Sequence, residues 1–295
     1  VTVSLANTTM SVPCAYRLYL PENWARDNKR RREAGIPKAI AFTTKWEIAL
    51  NALDSLLAED IPRAPVVADA GYGVVTTFRE GLTKRSLSYA VGISAETSLW
   101  PPGMEPLAPK RWKGHGRPTK NLRRTARHHP LSARELALKL PQKSWRTVRW
   151  REGTKGAMRS RFAAAVVRPA HNDATLSAPR DPEWFLVEWP SGEKEPTKYW
   201  LSTVPQHTSL DDLVRLAKLR WRIERDYEEM KSELGLDQYE GRNWLGFHHH
   251  GVLCITAYAF LAAERARLSP PEPLAFLKSA RVPQGFKPRG APVAS

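Results

Sequence analysis

Apolar residues recur along this chain with two different periods, and each change of period marks an element. Val1, Val3 and Leu5 alternate with polar residues, which predicts a strand over residues 1–6. Residues 15–20 predict a second strand, joined to the first through the turn-rich Asn7-Thr8-Thr9. A basic surface run over 28–35 ends at Gly35, ahead of Pro37. Over 44–58 the spacing becomes helical, with Ile48, Ala49, Ala52, Leu56 and Leu57 on one face. Residues 64–68 are a short continuous apolar run, read as a buried strand that leads directly into Asp69 and Gly71-Tyr72-Gly73. A short helix over 76–81 and another buried strand over 87–92 follow. Strands alternating with helices in this order predict an α/β sheet.

The pattern then fragments. Short alternating segments at 147–151, 162–168, 184–189 and 199–201 are separated by Pro and Gly and read as a β-rich insertion. Helical spacing returns over 210–234 and again, more apolar, over 248–267. The last 27 residues hold six Pro and read as a tail. The chain therefore divides into 1–93, the first part of an α/β core; 94–205, the insertion; 206–268, the helical second part of the core; and 269–295, the tail. The opening directly on a strand, without Met, reads as a core whose start is missing. No apolar run reaches about 18 residues, so no membrane span is expected. Cys14 and Cys254 lie far apart without metal-type spacing, which fits a reducing cytoplasm.

Charge adds a partner to this picture. The formal net charge is +16, and cations in such excess suit a polyanion, because each one near a phosphate releases condensed counterions. The densest block contains Lys110, Arg111, Lys113, Arg117, Lys120, Arg123, Arg124 and Arg127, with no acidic residue among them. Phosphate contact is the preferred role, and a solvated loop is the other. Neither carries base specificity. The aromatic residues Trp145, Trp150, Trp184, Trp189 and Trp200 are read as sheet packing rather than as base platforms.

Two carboxylates carry the candidate chemistry. Asp69 stands at the C-terminal end of a buried strand, where open α/β sheets place their sites; the same residue could simply cap the turn that follows. Residues 220–242, RWRIERDYEEMKSELGLDQYEGR, read as a charged helix, a Gly-containing stop and an exit loop. At 100° per residue, Arg220, Glu224 and Lys231 fall within about 40° of one another. Leu216, Leu219, Ile223, Tyr227 and Met230 form the apolar stripe beside them. Taken alone, Glu224 is an ion-pair residue. Taken with Asp69, it gives the carboxylate pair that suits divalent metals and phosphoryl transfer. Consecutive His248, His249 and His250 point about 100° apart on a helix and cannot share one ion.

With VVADAGYG at the strand end, the Arg220, Glu224, Lys231 spacing and LGLDQYEGR, the chain resembles the DDE transposases of bacterial insertion sequences. The group is the one with a Y-x2-R-x3-E-x6-K signature and a β-rich insertion before the catalytic Glu. RLYLPENWARDNKRRREAGIP and EPTKYWLSTVP extend the likeness over nearly the whole chain. The resemblance implies an RNase H-like (retroviral-integrase-type) core interrupted by the insertion. It implies three carboxylates holding two Mg²⁺ ions, with Mn²⁺ able to substitute. The implied partners are DNA, at transposon terminal repeats and target, and a second copy in a homodimeric DNA complex. By position, Asp69 is the second catalytic Asp, Glu224 the catalytic Glu, and Arg220 and Lys231 the phosphate-contacting cations.

Two positions depart from that pattern. The signature Tyr falls at Ala217. The family's first Asp belongs on a strand upstream of the first pair here. Glu22, Asp27, Glu33, Glu47, Asp54, Glu59 and Asp60 all fall in loops or on a helix. The expectation is a transposase incomplete at its N-terminus, or else a non-catalytic DNA-binding remnant. A metal-independent RNA-binding or scaffolding protein would leave Asp69 and Glu224 unexplained.

Overall fold

The chain opens on a hairpin set by one side chain. In the computed structural model, which describes residues 1–117, 120–153 and 156–268, strands β1 (Thr2–Ala6) and β2 (Ser11–Tyr16) pair antiparallel. Asn7 Oδ1 accepts the N–H groups of Thr9 and Met10 at 2.8 and 2.9 Å. This closes a tight Asx turn, so β2 begins at Ser11, earlier than the alternation over 15–20 suggests. The basic run forms two short helices, α1 (Glu22–Arg26) and α2 (Asn28–Glu33), the second capped by Asp27. Helix α3 (Lys45–Ala58) starts at a capping box between Thr44 and Glu47, which satisfies orphan N–H groups of its first turn. Strand β3 (Val66–Ala68), the one-turn α4 (Ala70–Gly73), α5 (Thr76–Lys84) and β4 (Tyr89–Ile93) follow.

Two glycines let α4 lie on the neighbouring strand. A Cβ on Gly73 would stand 1.9 Å from the Gly92 carbonyl oxygen, and one on Gly92 would stand 2.9 Å from the Ala70 nitrogen. The turn that follows Asp69 is therefore pressed against β4, which fixes where that carboxylate sits.

The insertion does not stand apart from the core. It contributes β5 (Ser98–Trp100), β6 (Leu131–Ser132), α6 (Ala133–Leu138), β7 (Arg146–Gly153), β8 (Gly156–Pro169), β9 (Glu183–Trp189) and β10 (Lys198–Ser202). Strand β10 pairs antiparallel with β4, Leu201 opposite Val91, so core and insertion share one mixed sheet. Its order is β3-β4-β10-β9-β8-β5-β6, with β7 paired to β8. One face buries Leu82, Val91, Leu99, Phe185 and Leu201. A second cluster joins Val148, Phe162, Leu186 and Trp200 to Leu213, Val214 and Ala217. Ala217, where the signature has Tyr, is thus a core residue.

The single helix expected over 210–234 is two: α7 (Leu210–Lys218) and α8 (Trp221–Leu234). No Gly or Pro marks the break. Arg222 N–H bonds Leu219 O and Ile223 N–H bonds Arg220 O, so the backbone tightens to i→i−3 bonding there. The halves have different partners: α7 packs on β4, β7 and β8, whereas α8 packs on β1, β2 and the last helix, α9 (Trp244–Leu268). Lys218 secures the end of α7 by pairing with buried Glu188, its ammonium 4.5 Å from the Trp150 ring centroid and 5.5 Å from those of Phe162 and Trp200. Helix α8 stops at Gly235, which adopts the left-handed conformation (φ 65°) and returns its N–H to Met230 O. Among the described residues no helix is long and apolar enough to cross a membrane. The tail at 269–295 lies outside the described residues.

Two predictions concern stability. Gly73→Ala forces its methyl into backbone rather than into a movable side chain, and a loss of more than about 2 kcal/mol is expected in denaturant unfolding. At the start of β9, Glu183 Oε2 is shielded from solvent without a hydrogen-bond partner. Burial pushes this carboxyl up to about 7, against the opposing pull of Arg79, the Tyr89 hydroxyl and Arg180. Its folded value lies above the unfolded 4.5, so its contribution is fully present below that pH and is lost as pH rises through 7. Glu183→Gln should therefore raise the melting temperature at pH 8, by stabilisation on the order of 1–3 kcal/mol, and give no gain at pH 4.

Candidate active site

Asp69 caps a turn with one oxygen and faces a cation with the other. Its Oδ1 accepts the Gly71 N–H at 2.9 Å and caps α4. Its Oδ2 faces the other way, 3.7 Å from Arg220 Nη1. Arg220 lies at the break between α7 and α8, and its Nη2 donates to Glu224 Oε1 at 2.7 Å, one helical turn on. One guanidinium thus spans a carboxylate from the end of β3 and a carboxylate from α8. All three side chains reach solvent, with 45 % of Asp69, 39 % of Arg220 and 64 % of Glu224 exposed. Lys231 lies two turns further along α8 and is exposed. Beside the pair, burial first and the Asp69 charge second push the Tyr72 phenol above its ordinary value, so it stays a neutral hydroxyl.

The back of α8 is tied down by polar groups. Ser11 donates to Asp226, and Arg222 Nε lies 3.3 Å from the same carboxylate, which is buried. The charge of Asp226 raises the Tyr258 phenol further after burial has done so, which places α9 against it. Tyr227 meets Thr2 of β1 through their hydroxyls. Sequence reasoning gave Asp226 no role, yet a signal was present: it falls three residues after Ile223 and four before Met230, on the apolar stripe. Arg151 was also passed over. From β7 its guanidinium stacks 4.0 Å from the Trp221 ring centroid, bringing the insertion onto the first turn of α8.

A cleft of about 250 Å³ leads to Asp69 and Arg220. Val3 and Leu5 of β1 line one side and Val67 of β3 the other, with Leu53 and Leu57 of α3 between them. Asp69, Arg220 and Ile223 also line it. Strand β1 is paired only with β2, and β3 only with β4, among the described residues. The cleft is therefore bounded by two strand edges without strand partners. Four of the earlier acids are engaged elsewhere: Glu22 pairs with Arg26, Asp27 caps α2, Glu47 completes the α3 capping box, and Asp54 holds Arg85.

The other sequence candidates lie apart from this pair. The basic block runs beside β5, five strands from β3, on the order of 25 Å along the sheet. Arg124 pairs with Asp173 and donates to Ala170 O, and Arg123 Nε donates to Ala108 O at 2.8 Å, so these two hold the loop together. Lys110, Arg111, Lys113, Arg117, Lys120 and Arg127 are exposed. The three histidines diverge: His248 bonds Trp244 O, His250 bonds Gly235 O, and His249 is exposed.

Glu224 keeps one oxygen outside its contact with Arg220, whereas Asp69 has Oδ1 on the Gly71 N–H and Oδ2 facing Arg220, so a cation there would have to displace the guanidinium; carboxylate oxygens are the hard donors that Mg²⁺ takes. The fit is partial, since among the described residues no three His, Cys, Asp or Glu side chains converge on one point. None of the curated proteins matches this sequence. Residues 1–157 match the family model of the DDE superfamily endonucleases, a span that holds Asp69 and ends in β8, before Glu224. Matched over more than half its length, the chain belongs to the DDE superfamily endonuclease family.

Proposed function

We propose that this chain is an insertion-sequence transposase of the kind that cuts DNA at the ends of its element and joins them to target DNA. The observation that carries this reading is the convergence of Asp69 and Glu224, from distant elements, on the single guanidinium of Arg220. The two carboxylates would hold Mg²⁺ or Mn²⁺, which activates the attacking oxygen and stabilises the leaving one. Arg220 and Lys231 line the approach to the carboxylates with positive charge, where a scissile phosphate would lie. The exposed cations of the 110–127 loop suit the duplex flanking it. A soluble protein acting on DNA in the bacterial cytoplasm, as a dimer in its DNA complex, is consistent with this reading.

The third carboxylate of such a site would come on a strand seated between β1 and β3, since the cleft there reaches Asp69. Without it, metal binding is weak and strand cleavage fails. A second reading, DNA binding without cleavage, draws on the same observation that two carboxylates rather than three converge.

The two readings separate in one experiment. Affinity for terminal-repeat duplex should fall by roughly 10³ or more between 50 and 200 mM salt under either. Extended upstream by an Asp-bearing strand, the chain should nick that duplex with Mn²⁺, and Asp69→Asn or Glu224→Gln should abolish nicking, by 10³-fold or more, while leaving duplex affinity within about twofold. Nicking that survives both substitutions refutes the assignment. Salt-dependent binding with no nicking in any form favours the non-catalytic reading.

A further inference from the structure

Arg220 occupies an unusual position for a residue whose expected partner is DNA. Among the described residues it is the only cation paired with either Asp69 or Glu224. It donates a hydrogen bond to Glu224 Oε1 and lies at ion-pair distance, 3.7 Å, from Asp69 Oδ2, and these are oxygens that a divalent cation would also need. Its planar fork makes this possible, because two nitrogens point to two acceptors at once; a lysine ammonium is a point charge and lacks that geometry. All three side chains are partly exposed, and exposed ion pairs contribute only about 0–1 kcal/mol each. The bridge is therefore strong enough to keep two like charges convergent and weak enough to open.

Resting on the proposed function, we infer that Arg220 couples divalent-cation binding to binding of the DNA phosphate backbone. While the guanidinium bridges the carboxylates, both ligands are opposed: the metal meets a fixed positive charge, and phosphate meets a cation already paired. A metal that takes Asp69 and Glu224 frees the fork, which then presents two donors to a phosphate. A phosphate that draws Arg220 away uncovers the carboxylates. Each ligand removes the cost that the other would have met, so the coupling is positive and reciprocal. Arg220 is a positioning residue in this scheme. The adjoining Trp221, stacked under Arg151, keeps the start of α8 in place while the side chain moves.

The test is calorimetric titration of Mn²⁺ into the full chain, with and without a short duplex, for wild type, Arg220→Gln and Lys231→Gln. In wild type, duplex should tighten Mn²⁺ binding about fivefold or more, the low end of ordinary coupling between sites. Arg220→Gln should bind Mn²⁺ alone at least as tightly as wild type, and duplex should leave that affinity unchanged. Lys231→Gln should weaken duplex binding and retain the coupling. Weaker Mn²⁺ binding by Arg220→Gln without DNA overturns the inference, as does coupling that survives the substitution. Equal loss of coupling in Lys231→Gln also overturns it, since the effect is then one of bulk charge. Mn²⁺ binding that Asp69→Asn abolishes, with coupling indifferent to Arg220, removes this inference and leaves the proposed function standing. Wild type that binds no Mn²⁺ overturns this inference, and the proposed function, in which two carboxylates bind metal weakly, is then decided by the nicking experiment alone.

Discussion

The pairing of β10 with β4 is the contact on which the arrangement of the site depends. Between the end of β4 and the start of β10 the chain travels through more than a hundred residues of insertion. Closing so long an excursion costs little more entropy than closing a short one, because the cost grows only with the logarithm of loop length. What matters is that the excursion ends where it began. Leu201 opposite Val91, both fully buried, returns the chain to the core sheet two strands from β3. Helix α7 then packs against that sheet, and the break at Leu219-Arg220 turns α8 toward the hairpin. Glu224 and Asp69 meet on Arg220 because of this route, and nothing in the local sequence of either carboxylate encodes it.

Much of the framework was legible because short-range chemistry determined it. The apolar face of α3 and its Thr44–Glu47 capping box, the continuous apolar run of β4 and the Gly235 stop of α8 all belong to their own segments. Errors arose where the deciding partner was distant or where one side chain outweighed a pattern. Asn7 drew β2 forward to Ser11 through an Asx turn. The α7–α8 break has no breaker residue, and arises because the two halves bury against different layers. Buried Asp226 and stacked Arg151 carry no recognisable motif, and their partners are far away in sequence.

At the site itself, the cap expected of Asp69 and the ion pair expected of Glu224 both form, and each leaves the carboxylate facing the other's partner, Arg220. A carboxylate has two oxygens and can satisfy two demands. Asp69 caps α4 with one and faces Arg220 with the other. Glu224 makes the i, i+4 ion pair that its spacing suggested, and that pair is also half of the bridge. Spacing alone could give the pairing of Glu224 with Arg220. It could not give the third member, because Asp69 is contributed by a strand 150 residues earlier.

The hairpin has a further consequence. Among the described residues β1 and β2 share no strand pairing with the main sheet. They are held by side chains: Thr2 to Tyr227, Ser11 to Asp226, and Tyr16 stacked on Phe247. Such an element can detach as a cooperative unit at a free energy well below that of global unfolding. Detachment would carry Val3 and Leu5 away from the cleft they line, so the width of that cleft rests on a few hydroxyl and ring contacts rather than on the stability of the sheet.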